Sequence, residues 1–282
     1  ESVWMFSFVT TTGAILMTGI ANGTGPTTGL AIQIGGTVRS LNTTGGGTIT
    51  LNGTGASGAT SNNFGVAVFG TVTSASGNIG ITGTGGSGGT LNDGVSLSNG
   101  GIVESTGTAN VAITGIASTG TGIISAGAII NRIGSGTMAG NITLTADTMS
   151  GFDTAFFTSQ TAGTTILKPL TPSRNINIET VLTSGVLSLS PTAIQNFTAG
   201  QLDIGSAAGT GTLTVSTPIV AANVNAPTLR LLDQNVAVNS AVTLSGNLAL
   251  NATNDVTITD SIVGVGGTLG VTATNALNVT GN

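Results

Sequence analysis

Cysteine, histidine and tyrosine are absent from this 282-residue chain, and only 5% of its positions are charged. Without cysteine there is no disulfide framework to staple a small fold. Without histidine or cysteine, the commonest general base, the thiolate nucleophile and the soft metal ligands are missing together. The five Lys and Arg residues are scattered, and aromatics make up 3% of the chain. No basic patch can neutralise phosphates and no stacking platform can hold bases, so nucleic acid is excluded as a partner. Long hydrophobic runs are missing too. The most apolar stretch, Val3-Trp4-Met5-Phe6-Ser7-Phe8-Val9, follows Glu1, has no basic flank and is too short to span a bilayer. It reads as a first strand or as a cover over one end of the fold, with any export signal lying upstream.

What is present is strand chemistry. The hydrophobic fraction is 39% and the mean hydropathy is +0.44, carried mostly by Ile, Val and Leu. These residues favour pleated, half-buried surfaces, so the chain is ordered despite its glycine and scarce charge. Thr, Ser and Asn must supply the surface polarity that charged residues supply elsewhere.

Self-similarity points to the fold. Thr48-Ile49-Thr50-Leu51-Asn52-Gly53 matches Asn78-Ile79-Gly80-Ile81-Thr82-Gly83, Asn110-Val111-Ala112-Ile113-Thr114-Gly115 and Asn141-Ile142-Thr143-Leu144-Thr145. Weaker copies start at Ala14 and at Asn175, so the starts Ala14, Thr48, Asn78, Asn110, Asn141 and Asn175 are almost evenly spaced. Each period holds three short alternating runs separated by glycine-rich turns, such as Ile49 to Leu51, Val66 to Val68 and Thr71 to Thr73. An antiparallel sandwich has no need of one residue type at one phase in every period, whereas stacked coils do. The expectation is an all-β, right-handed parallel β-helix (β-solenoid) with three-sided coils. Ile49, Ile79, Val111 and Ile142 should form one buried row, with Leu51, Ile81, Ile113 and Leu144 beside it.

From about residue 175 the period shortens. Leu229 to Asn235 aligns with Leu248 to Asn254, and Gly246 to Asn254 with Gly267 to Asn275. Phe152, Phe156, Phe157 and Ile166 to Pro169 interrupt the pattern. The expected organisation is an edge segment at 1–14, wide coils at 15–151, a junction insertion at 152–174 and narrow coils at 175–282, all in one rod. The last run, Ala276 to Asn282, stays in phase with Asp255 to Asp260 and shows no cap. Further coils, or head-to-tail stacking with copies of itself, are therefore expected there.

The run Leu187-Ser188-Leu189-Ser190-Pro191-Thr192-Ala193-Ile194-Gln195-Asn196-Phe197-Thr198-Ala199-Gly200-Gln201-Leu202-Asp203-Ile204-Gly205 resembles a segment of giant filamentous-haemagglutinin-type proteins. The narrow coils after it are similar to that family's repeats. The earlier Gly-Thr-Gly coils resemble the β-strand repeats of large bacterial surface proteins. The resemblance implies a chain exported from a bacterium and displayed at the cell surface as a long fibre. The secretion domain that such proteins carry at their N-terminus is not in this sequence.

Chemistry has few candidates. Asp147 with Asp153 and Asp255 with Asp260 are the closest acid pairs, relevant because some β-helices act on polysaccharides. Asp255 and Asp260 flank one strand, about 16 Å apart if extended, and no cation lies near Asp147 and Asp153 in sequence. Solvated corner acids are the simpler reading. Calcium would need many more oxygen ligands than the single Asp93 of the Gly85-to-Asp93 turn, or the acid-free turn from Gly55 to Asn63, can give. No catalytic residue, metal ligand or cofactor is assigned. Thr48, Asn78, Asn110, Asn141 and Asn175 fall at one phase just before the first strand, where amides can form a hydrogen-bonded ladder along the axis. The alternatives are a glycan face or an ice-binding face, the latter disfavoured by the irregular outward pairs Thr48/Thr50, Asn78/Gly80, Asn110/Ala112 and Asn141/Thr143. Sequons such as Asn22-Gly23-Thr24, Asn52-Gly53-Thr54 and Asn251-Ala252-Thr253 are expected by chance at this Asn and Thr content. The sequence therefore favours a non-enzymatic structural rod or filament, partnered mainly by itself. An adhesin with a glycan or cell-surface ligand comes second, and a polysaccharide-active enzyme a distant third.

Overall fold

The computed structural model describes residues 3–5, 9–22, 29–44, 46–58, 62–117, 119–264 and 266–281. Phe6 to Phe8, the Gly23-Thr24 part of the first sequon, and the centre of the Gly55-to-Asn63 turn lie outside the described residues.

The chain is a parallel β-solenoid, wound as three-sided coils. Among the described residues, ten strands form a spine sheet running the length of the rod: Ile15–Ile20, Ile49–Thr54, Ile79–Thr84, Val111–Ile116, Ile142–Ala146, Thr164–Lys168, Gln201–Gly205, Thr228–Asp233, Asn247–Ala252 and Leu269–Ala273. Every pairing between neighbours is parallel. In the first half each spine strand is followed by one strand on a second side and one on a third. After Ile49–Thr54 these are Val66–Val68 and Thr71–Ser74. Val3–Met5 and Val9–Thr11 already occupy those two sides, pairing with Ile32–Ile34 and Thr37–Ser40. Val3–Met5 and Val9–Thr11 are thus coil strands rather than a cover.

Alternation turns one residue in two into the rod. Ile49 pairs with Ile79, Ile79 with Val111 and Val111 with Ile142, and Leu51, Ile81, Ile113 and Leu144 stack beside them. All eight are at most 1% exposed. Val66, Val95 and Ile123 close the core from the second side, and Val38, Val72, Val103 and Ile133 from the third. Because similar apolar rows continue from coil to coil, stability accumulates coil by coil rather than around one centre.

The spine register passes from Ile15 to Ile49, Ile79, Val111 and Ile142, each one position after a repeat start read from the sequence. The next step departs from the sequence reading. Ile142 pairs with Thr165, well short of one wide coil, and Thr165 pairs with Leu202, more than one wide coil further on. Asn175 therefore does not continue the column of Asn141. The strand after it, Ile176–Ile178, lies in a different sheet and pairs with Leu187–Leu189 and Thr212–Val215. Nor is 152–174 an insertion, since Phe157–Gln160 and Thr164–Lys168 extend the third side and the spine in register. The physical reason is local similarity: an Asx residue followed by apolar-x-apolar suits any inward-facing strand, so the motif alone does not say which side it occupies.

Phe152, Phe157 and Phe197 fill the rod where the coil shape changes, with ring centroids 4.5, 5.3 and 5.7 Å apart. Phe156, beside them in sequence, is exposed. Leu187–Leu189 follows Ile176–Ile178 in sequence but pairs on the side away from Thr212–Val215, so the chain steps back one rung. It climbs again through a short helix, Pro191–Gln195, started by Pro191 and by the Ser190 hydroxyl accepting the Ala193 N–H. Beyond it the spine steps shorten, from Leu202 to Leu229, then to Leu248 and Leu269. The second side is taken over by Asn235–Val238, Val256–Ile258 and Leu277–Val279, and the third is thinned to Val242–Leu244 and Ile262–Gly264.

Candidate functional site

The outer face of the spine sheet is where the repeat pattern concentrates its polar groups. Asn78, Asn110 and Asn141 each precede a spine strand and are exposed. Asn78 Oδ1 accepts the Asn110 N–H at 2.9 Å, Asn110 Oδ1 accepts that of Asn141 at 2.8 Å, and Asn141 Oδ1 accepts that of Thr164 at 2.9 Å. The ladder is therefore side chain to backbone, not amide to amide. It satisfies the corner N–H of each following coil, which would otherwise be left to solvent. Each side chain is pinned by its oxygen, and no amide nitrogen of the three donates to another described residue. The same device recurs at Asn247, whose Oδ1 accepts from both the N–H and hydroxyl of Thr268. Thr48 begins the column, its carbonyl accepting the Ile15 N–H.

Asn175 belongs to a parallel column on the second side. Its Oδ1 accepts the Thr212 N–H at 2.9 Å, Asn235 Oδ1 accepts from the Asp255 N–H, and Asp255 Oδ1 accepts from that of Ala276. A further amide contact, missed in the sequence reading, is buried. Asn63 Nδ2 donates to Asn92 Oδ1 at 2.9 Å, and Asn92 Nδ2 donates to the Thr119 hydroxyl at 2.7 Å. The signal was available, because Asn63 and Asn92 stand at the same short distance before two paired valines, Val66 and Val95.

Beside the first ladder runs a shallow trough. Its floor is Gly80 and Ala112, its ends are Thr50 and Thr143, and no ionisable side chain lines it. A side chain built on Gly80 would meet nothing within 4 Å.

The carboxylates serve as ties between coils. Asp147 accepts the N–H and hydroxyl of Thr171 and pairs with Arg174 at 3.4 Å. The fold brings this cation to Asp147 from outside the sequence neighbourhood of the Asp147 and Asp153 pair. Partial burial pushes the Asp147 carboxyl up, but the Thr171 bonds and Arg174 outweigh it and hold its pKa below the ordinary value. Asp203 lies directly under Arg230 in register, 3.1 Å away, and Glu104 pairs with Arg132. Burial pushes Asp203 up against the pull of Gln201 and Arg230. Burial likewise raises Asp93 and Asp233, although each accepts backbone N–H groups, Asp93 from Thr121 and Asp233 from Gly211 and Gln234. Asp255 is bound to Asn275 and Ala276, while Asp260 accepts from its own neighbour Ser261 at the other end of the strand. Asp147 and Asp255 are thus each engaged by structural partners of their own rather than by the second acid of their pair. Among the described residues no three Asp or Glu side chains gather in a way that could hold a metal ion, and no helix is long and apolar enough to cross a membrane.

Compared with protein-family models, with curated proteins and with solved structures, the chain matches none.

Proposed function

We propose that this chain is a structural segment of an extracellular, fibrous bacterial surface protein, a rod that gives reach and mechanical continuity. The observation that carries the reading is the spine sheet, in which ten parallel strands succeed one another over the described chain without a break in register. A load applied along the axis is then shared by rows of backbone hydrogen bonds between every pair of coils. The resemblance of residues 187–205 to filamentous-haemagglutinin-type segments supports the surface location, and the low charge leaves little repulsion against association with copies of itself. Fractionation and surface immunolabelling of the source cells test the proposal. Labelled fibres outside the cell are expected, and recovery of the intact chain only from the cytosol overturns it.

A second reading rests on the trough. The amide nitrogens of Asn78, Asn110 and Asn141, one per coil beside a floor of Gly80 and Ala112, suit an extended neutral glycan and make the rod an adhesin. Saturable binding on a glycan array, lost when Ala112 is replaced by Arg, favours it. Binding unaffected by that replacement removes the trough from consideration.

A further inference from the structure

Three Asn-Gly pairs occur in the chain, at Asn22-Gly23, Asn52-Gly53 and Asn99-Gly100. Such pairs are open to attack of the glycine nitrogen on the preceding side chain, because glycine adds no Cβ to hinder the approach. The fold treats the two fully described pairs very differently. Asn52 and Gly53 lie inside a spine strand paired on both sides, against Thr18 and Gly19 and against Thr82 and Gly83. Pairing on both sides holds the backbone there, and the neighbouring chain packs close, with the Gly65 carbonyl oxygen 2.0 Å from where a Cβ on Gly53 would stand. Asn99 is instead exposed at the corner between the second and third sides, in the left-handed region at φ 49°, with Gly100 following at φ 93°. Its side-chain amide makes no hydrogen bond to any described residue. Its Oδ1 lies over Gly127 of the next coil, 2.3 Å from where a Cβ on that residue would stand. The Gly100 N–H is held only by a side chain, Asn131 Oδ1 at 3.0 Å, which also accepts the Gly101 N–H.

We infer that Asn99 is a site of spontaneous covalent modification in the folded rod, converting to aspartate and isoaspartate. The Gly100 nitrogen gives up its proton to solvent and attacks Asn99 Cγ, forming the N–Cγ bond of a succinimide. The Cγ–Nδ2 bond breaks and ammonia leaves. Water then opens the ring at either carbonyl, yielding aspartate or isoaspartate, so the net reaction consumes one water and releases one ammonia. Only the bond from the Gly100 N–H to Asn131 must open to free the nucleophile, at a corner facing solvent, whereas Asn52 waits for a spine strand to open. The product adds a negative charge, and in the isoaspartate form an extra backbone methylene, at a corner where Asn131 bridges Gly100, Gly101, Ser125 and Ala126. Loosening of that corner is the consequence for a long-lived fibre.

The test is peptide mass spectrometry of the chain incubated at mildly alkaline pH, native in one arm and fully unfolded in denaturant in the other. In the native arm, conversion is expected at Asn99 and to be at least about a hundredfold slower at Asn52, because core strands open only with free energies near the global value. In the unfolded arm the two sites are expected to react at similar rates, which shows that the native difference belongs to the fold. Native conversion at Asn99 no faster than at Asn52, or an unfolded chain that keeps the same preference, overturns the inference.

Discussion

Asn78 Oδ1 accepts the backbone N–H of Asn110 at 2.9 Å, and Asn110 passes the same bond to Asn141 at 2.8 Å. A side chain of one coil thus completes the backbone of the next, and the corner of the rod is built from a relay of identical contacts.

Replacing Asn110 by Ala breaks one link of that relay. The Asn141 N–H is left to water at an exposed corner, so a loss of about 1 kcal/mol is expected in chemical denaturation, the usual net worth of one hydrogen bond. Asn110→Asp keeps the acceptor oxygen and should lose less. Equal losses for the two variants would place the role of Asn110 elsewhere.

Two glycines of one strand should respond in opposite ways. Gly83 faces the Gly94 carbonyl oxygen, which a Cβ would approach to 2.0 Å, while Gly80 faces open space. Gly83→Ala is expected to destabilise by about 1–3 kcal/mol through forced backbone shifts. Gly80→Ala should be neutral or stabilise by up to about 1 kcal/mol, because it restricts the unfolded chain without a clash. Thermal unfolding of the two variants checks this directly.

Thr165 occupies the inward row between Ile142 and Leu202, fully buried, and its hydroxyl finds no hydrogen-bond partner among the described residues. Thr165→Val keeps the shape and removes the orphaned hydroxyl, so a gain of about 1 kcal/mol is expected. A loss would show that the hydroxyl is satisfied in solution by bound water.

Thr165 also shows how far the sequence was legible. The row of Ile49, Ile79, Val111 and Ile142 can be read directly, and so can the match of Leu229 to Leu248 in the narrow coils, because alternation and stacking leave the same residue type at the same phase. Where a hydroxyl replaces Ile or Val in the row, as at Thr165, and where a coil contracts and its successor expands, the phase is lost. Asn175 then looks like the next member of the spine column, although the fold places it on another side. The ladder residues Asn78, Asn110 and Asn141 were legible by position but not by bonding. Which atom an amide oxygen meets depends on the corner geometry of the adjoining coil, which no periodicity encodes. The tie of Asp147 to Thr171 and Arg174 escaped for the same reason, since its partners stand in the next coil.

Acid should act on two carboxylates with opposite sign. Asp147 has a folded pKa below its ordinary 3.8, so its contribution is present above that value and is lost as pH falls through the folded pKa. Asp93 has a folded pKa above 3.8, so the folded state binds its proton more readily. Its favourable contribution is full below 3.8 and is lost as pH rises through the folded pKa. At neutral pH, Asp147→Asn should therefore destabilise and Asp93→Asn stabilise, and both differences should shrink toward strongly acid pH. Denaturation midpoints measured from neutral to acid pH decide it, and differences that do not vary with pH would contradict the assignment.

Continuity of the rod is measured most directly by distances between spin labels on the outer face of the spine. Thr50, Ile166 and Ala249 lie on one outward row, with Ile166 four coil steps and Ala249 seven coil steps from Thr50 along the register. At about 4.8 Å per step, backbone separations of roughly 19 Å for the first pair and roughly 34 Å for the second are expected. Distances that grow in this proportion establish one uninterrupted stack of coils. A Thr50-to-Ala249 distance equal to or shorter than that from Thr50 to Ile166 would mean that the chain folds back on itself and is not a continuous rod.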